Sequence, residues 1–259
     1  MPEILIAIDA EAENSGELIP ASPATAQMVS ALTQAISASP KAPPAPVRAL
    51  SARSLTQPGI ASALSAGEAL LCPLTLNLPD TVPFPAQRTY QTCRDVPGLR
   101  RHVEQMGYPV GAGEHWLPAV LTAKGPLYGE VICNPDYYSA KKSASSETER
   151  GDKTNAISGN GKIYRQPAHV SDSWRQQLYE LAYRLLRSLD APPATYLVQF
   201  GFLGELICFD RLWPYPAEPA VASIGVQDPD LFSCHWHCLT GRPILDLTVA
   251  HSAECLLHS

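Results

Sequence analysis

Residues 173–216 read SWRQQLYELAYRLLRSLDAPPATYLVQFGFLGELICFDRLWPYP, and this stretch decides the fold. Trp174, Leu178, Leu181, Ala182, Leu185 and Leu186 recur at helical spacing and form one apolar stripe. Ser171 or Asp172 stands before the stripe as a cap, and Pro192-Pro193 stops it. Residues 195–200 and 205–209 are apolar runs of strand length on either side of Gly201-Phe202-Leu203-Gly204, which marks a hairpin. The expected order is helix, strand, tight turn, strand, closed by Pro214-Tyr215-Pro216. A further helix signal follows in Phe232-x-x-His235, with Gly241 and Pro243 beyond its end.

The front of the chain has a different rhythm. Glu3-Ile4-Leu5-Ile6-Ala7-Ile8-Asp9 is a short apolar run ended by an acid, as a buried parallel strand requires. Residues 24–37 place Met28, Val29, Leu32 and Ile36 on one helical face after Ser22-Pro23. Residues 47–52 and 69–73 read as two more strands, with a short helix at 57–66 between them. This β-α-β-α-β order implies a small parallel sheet with helices on its faces. No glycine-rich phosphate loop follows the first strand.

Pro79, Pro83 and Pro85 mark a boundary, so the expected units are 1–85 and 86–259. In the second unit, residues 89–92 read as a strand and 96–106 as a helix ended by Gly107-Tyr108-Pro109. Residues 119–123 and 128–133 read as a hairpin around Lys124-Gly125-Pro126. Residues 139–161 are polar and nearly free of large apolar side chains, so an exposed, mobile loop is expected there. The fold class is α/β, a small parallel α/β unit followed by an α+β unit.

Composition narrows the function classes. Hydrophobic residues make up 45% of the 259, enough for a sizeable core. A net charge of −6 without a basic tract argues against a nucleic-acid partner. No apolar run reaches the roughly 18 residues of a membrane span. The 7 cysteines are odd in number and scattered, which points to reduced thiols and a cytoplasmic location.

Residues 118–244 resemble the C-terminal half of ATP-grasp enzymes, above all the carboxyaminoimidazole ribonucleotide synthase type. In that family a hairpin, a Pro-Ala pair, a helix, a strand pair, a Pro-Arg-Pro turn and a Phe-x-x-His helix follow one another. Residues 125–133, Pro167-Ala168, residues 174–187, residues 195–210, Pro214-Tyr215-Pro216 and Phe232 with His235 fill those places here. The resemblance implies an ATP-grasp-like α+β unit behind a small leading α/β unit, with ATP and Mg²⁺ as cofactors.

The chemistry departs from the family where the resemblance puts the metal. Mg²⁺ takes hard oxygen ligands. The family's acid on the first strand of the pair falls on Gln199, and its Asn-Glu pair falls on Asp210 and Arg211. Its anion-binding arginine falls on Tyr215. One ligand is then neutral, one is reversed in charge, and one cation is lost. Asp210, with Glu205 nearby, would leave a single metal contact.

The nucleotide-binding positions to examine are Lys124, Glu130, Asp210, Arg211 and Tyr215. Lys124 and Glu130 read either as a phosphate lysine with a ribose or catalytic carboxylate, or as a turn lysine and a solvated strand residue. Asp210-Arg211 beside Trp213-Pro214-Tyr215-Pro216 reads either as a remnant nucleotide site or as an ion pair under an aromatic–proline plug. Cys234 and Cys238 share a helix face, and with His251 and Cys255 they would supply a tetrahedral zinc set. The plainer reading of those cysteines is core thiols. No catalytic residue is identified, since no nucleophile elbow is present.

Three functions follow. The first is a divergent, non-catalytic ATP-grasp-like protein that binds a nucleotide or a protein partner in assembly or regulation. The second is an active ATP-dependent carboxylate–amine or carboxylation ligase with a rearranged site. The third is a zinc-stabilised interaction module.

Overall fold

The computed structural model describes residues 2–12, 18–38, 46–135, 163–204 and 206–249. The loop expected at 139–161, Glu205, His251 and Cys255 lie outside the described residues.

The leading unit is built around β1 (Glu3–Ile8), whose Ile4 to Ile8 are all buried. A strand with no polar face needs cover on both sides, and a central parallel position provides it. Next come β2 (Ala10–Ala12) and β3 (Leu18–Pro20), which pair with each other, then α1 (Pro23–Ser37). Ser22 caps α1 by accepting from the amide of Thr25 at 3.1 Å. β4 (Val47–Ser51), α2 (Pro58–Ser65) and β5 (Ala69–Pro73) complete a parallel sheet ordered β4-β1-β5. This is the sheet expected from the sequence.

Residues 89–92, expected as a strand, are helical. They lie in α3 (Gln87–Arg94), which is followed by α4 (Val96–Gln105). Thr89, Tyr90 and Cys93 are the buried positions, a helical spacing that the β-favouring Thr-Tyr-Gln-Thr composition concealed. The Tyr90 hydroxyl donates to the Pro73 carbonyl at 3.0 Å, which pins α3 to the end of β5.

The second sheet contains β6 (His115–Thr122), β7 (Gly125–Tyr128), β8 (Ile132–Cys133), β9 (Ala194–Leu203) and β10 (Leu206–Trp213). Its order is β10-β9-β6-β7, with β8 also beside β6. The expected hairpin forms, but its second strand starts at Gly125 and breaks before Ile132. The break faces Pro118, which accepts from the Gly129 amide at 2.9 Å but has no N–H to return to that edge.

Alternation along the strands separates two cores. Leu117, Ala119, Val198 and Phe200 point to α5 (Asp172–Ser188), where Leu178, Leu181, Ala182 and Leu185 are buried. Trp116, Val120, Ile132 and Leu197 point the other way. Their core includes Phe232 and Trp236 of α6 (Leu231–Leu239) and the apolar residues of β1. β11 (Gln227–Asp228) and β12 (Thr248–Val249) form a small pair near α6. No helix among the described residues is long and apolar enough to cross a membrane.

Candidate functional site

The two strands expected to carry the chemistry are β9 and β10. β10 has a bulge: Phe209 pairs with Phe200 and Arg211 pairs with Gln199, which leaves Asp210 between them. Asp210 is buried. Its Oδ1 accepts from Arg100 on α4, whose Nε also donates to the Asp210 carbonyl at 3.0 Å. Its Oδ2 accepts from the Gly113 amide at 3.0 Å and from Gln199 Nε2 at 3.2 Å. Gln199 Nε2 further donates to the Gly113 carbonyl at 2.6 Å, and its Oε1 accepts from Trp213 Nε1 at 3.0 Å. Both oxygens of Asp210 and both ends of the Gln199 amide are engaged.

The network fastens a backbone crossing. Residues 109–111 run beside β10, with the Gly111 amide donating to the Phe209 carbonyl at 2.9 Å. The chain then passes across β9 to start β6. A Cβ on Gly113 would lie 1.9 Å from the Phe200 carbonyl oxygen, and one on Gly201 would lie 2.5 Å from that of Ala112. Only glycine at both positions allows so close an approach.

Arg211 is half-buried and projects over the Trp213 ring, 5.4 Å from its centroid. Its Nε stands 3.7 Å from Asp210 Oδ1 and has no hydrogen-bond partner. The other positions expected to bind nucleotide are elsewhere. Tyr215 is buried, stacked on Tyr90 at 5.9 Å, and belongs to the core of the first sheet. Lys124 is exposed in the β6–β7 turn. Glu130 makes a bidentate pair with Arg175 at 3.2 and 3.0 Å, next to the stack of Tyr128 on Tyr179. Lys124 and Glu130 flank β7, three strand spacings from β10, or roughly 14 Å. The structure therefore joins Asp210 to Arg211 and Gln199, and not to Lys124, Glu130 or Tyr215. The sequence reading missed Arg100 and Gly113. Arg100 lies 110 residues from its partner and has no local signal, whereas Gly111-Ala112-Gly113 is legible as a place of close approach.

Cys234 and Cys238, of the zinc alternative, are buried on α6. Cys234 Sγ donates to the Pro229 carbonyl at 3.3 Å, and burial pushes the Cys238 thiol up to about 12. Among the described residues no three potential ligands converge. His235 has a packing partner, since its Nδ1 accepts from the Thr195 amide at 3.2 Å, and burial holds it down to about 3.

No protein-family model matches the chain, and no curated protein matches it in sequence. Solved structures do. N5-carboxyaminoimidazole ribonucleotide synthetase from Thermus thermophilus superposes with a TM-score of 0.64 at 13% identity, over 94% of this chain and 79% of that one. N5-carboxyaminoimidazole synthetase from Staphylococcus aureus, complexed with ADP, gives 0.63 at 9% identity, over 95% and 80%. Glycinamide-RNase-transformylase T from Mycobacterium tuberculosis gives 0.61 at 13%, over 93% and 80%. By its fold, therefore, the chain is ATP-grasp-like, with the architecture of the N5-carboxyaminoimidazole ribonucleotide synthetases.

Proposed function

We propose that this chain is a non-catalytic ATP-grasp-fold protein that works by binding, in assembly or regulation. The observation that carries this reading is the closed network around Asp210. Mg²⁺ is held by hard anionic oxygens, and the charge of Asp210 already faces the guanidinium groups of Arg100 and Arg211. Asp210 has given both of its oxygens to Arg100, Gly113 and Gln199. Gln199 is engaged at both ends of its amide, and Arg211 puts a cation where the resemblance expects an acid.

These residues do not fit a metal–nucleotide centre of the family's kind. Ligase chemistry through an acyl phosphate builds up negative charge that metal and cationic groups must meet. Fold likeness alone does not carry activity across. The ADP in the Staphylococcus aureus structure supports nucleotide as one class of ligand, bound here without turnover. A cytoplasmic location accords with the six free thiols among the described residues. ATP turnover by the purified chain, measured as ADP formed, tests the reading.

A further inference from the structure

Buried polar groups in folded proteins are seldom left unpaired, so a concentration of them marks a place where something polar belongs. Among the described residues, the buried side-chain atoms without a partner fall into two groups. One group lies on His235, Trp236 and His237 of α6. The other is Glu114 Oε2, Trp116 Nε1, Gln166 Oε1 and Arg211 Nε.

The second group shares one face of the second sheet. Arg211, Gln199, Trp116 and Ile132 are in register and form a single row across β10, β9, β6 and β8. Arg165 bridges Cys133, so Gln166 extends that row by one strand. Glu114 precedes Trp116 by two residues and falls on the same face in the next row. Trp116 is only 3% exposed and Gln166 9%. α6 covers the other half of this face, where the Thr195 amide meets His235. Glu114, Arg211 and Tyr164 keep partial exposure, so the rim of this face meets solvent.

The charges on this face are separated. The Tyr164 ring stands edge-on to Trp116 at 5.4 Å. Burial pushes its phenol well above the usual range, and the neighbouring carboxylates of Glu218 and Glu114 push it in the same direction. Glu114 stands at the start of β6, and Glu218 is hydrogen-bonded to Tyr164. At the β10 side stands Arg211, and the carboxylate nearest to it is already committed to Arg100. Two strand spacings, about 10 Å, separate β10, which carries Arg211, from β6, which follows Glu114, and Gln166 stands two spacings farther along the row.

We propose that this face binds a small zwitterion, with its carboxylate on Arg211 and Trp116 Nε1 and its ammonium on Glu114, Glu218 and Gln166 Oε1. Each unpaired donor then meets an anion and each unpaired acceptor meets a cation. The proposal rests on the non-catalytic reading in one respect, that no metal-bound nucleotide competes for Arg211.

A length series of ω-amino acids, from glycine through β-alanine and γ-aminobutyrate to 8-aminooctanoate, tests it by calorimetry and thermal shift on the full chain. One length is expected to bind saturably and to raise Tm. Its affinity should fall by about tenfold or more, some 1.4 kcal/mol, in Arg211→Gln and again in Glu114→Gln. Without ligand, Glu114→Gln should melt no lower than the parent, because its buried oxygen has no hydrogen-bond partner, whereas Arg211→Gln also gives up the contacts with Asp210 and Trp213 and is checked for folding by circular dichroism. Failure of every length to bind, or binding that both variants leave unchanged, would overturn the proposal. ATP turnover measured on the same sample keeps the two readings apart. Turnover alongside zwitterion binding sinks the non-catalytic reading alone, and neither turnover nor binding sinks the pocket alone.

Discussion

The Gly113 amide donates to Oδ2 of Asp210 at 3.0 Å, across 97 residues of sequence. This bond ties the segment that crosses β9 to the bulge in β10. Removing the carboxylate would strand the Gly113 amide and leave the Arg100 guanidinium without its acid. Breaking a buried charged pair costs about 3–5 kcal/mol. Arg100 keeps 33% side-chain exposure, which moderates the loss. Asp210→Ala is therefore expected to lower stability by about 3 kcal/mol in urea unfolding. A loss below about 1 kcal/mol would mean that the network does not hold the crossing.

Two glycines should respond in opposite directions. Gly113→Ala forces a Cβ onto the Phe200 carbonyl, and a cost of about 3 kcal/mol or more is expected. Gly59, in α2, has open space around its missing Cβ. Gly59→Ala should stabilise by about 0.4–1 kcal/mol, mainly by restricting the unfolded chain. Equal effects at the two positions would contradict the described packing.

Leu181 is 1% exposed between α5 and the second sheet. Leu181→Ala should cost about 2–5 kcal/mol. A midpoint shift equivalent to less than about 1 kcal/mol would show that the α5 stripe is not core.

Two buried histidines make stability fall with acid. Burial holds His235 down to about 3 and His115 down to about 4. An unfolded histidine takes up its proton near pH 6.5, and these folded ones do so only far below it. Their contribution is thus complete above about pH 6.5 and is lost as pH falls, at about 1.4 kcal/mol per unit for each ring. Comparing the parent with His235→Gln between pH 6 and 4.5 removes the carboxylate background. The variant's curve should be shallower, and parallel curves would refute the assignment.

Much of the frame was legible in the sequence because it rests on local periodicity. The apolar run Ile4 to Ile8 announced a central parallel strand, and the Leu178–Leu185 stripe announced α5. Residues 89–92 misled because Thr and Tyr favour strands on composition, while Tyr90 answers to a distant carbonyl at Pro73. The site was legible only in part. Asp210 and Arg211 stood out as a charge pair inside an apolar strand. Their surroundings come from Arg100, Gly113 and Trp116, which only the folded sheet brings near, so no local pattern could reveal them. Glu130 pairs with Arg175, 45 residues away, a partner that no local pattern reveals.

ADP formation is the most direct test of the proposal that this chain works without catalysis. The purified chain, given ATP, Mg²⁺, bicarbonate and an amine acceptor, is expected to form no ADP above a protein-free blank and to show no Mg²⁺-dependent heat of ATP binding. Steady ADP production, abolished in an Asp210→Asn variant that stays folded by circular dichroism, would contradict it and establish Asp210 as a working metal ligand.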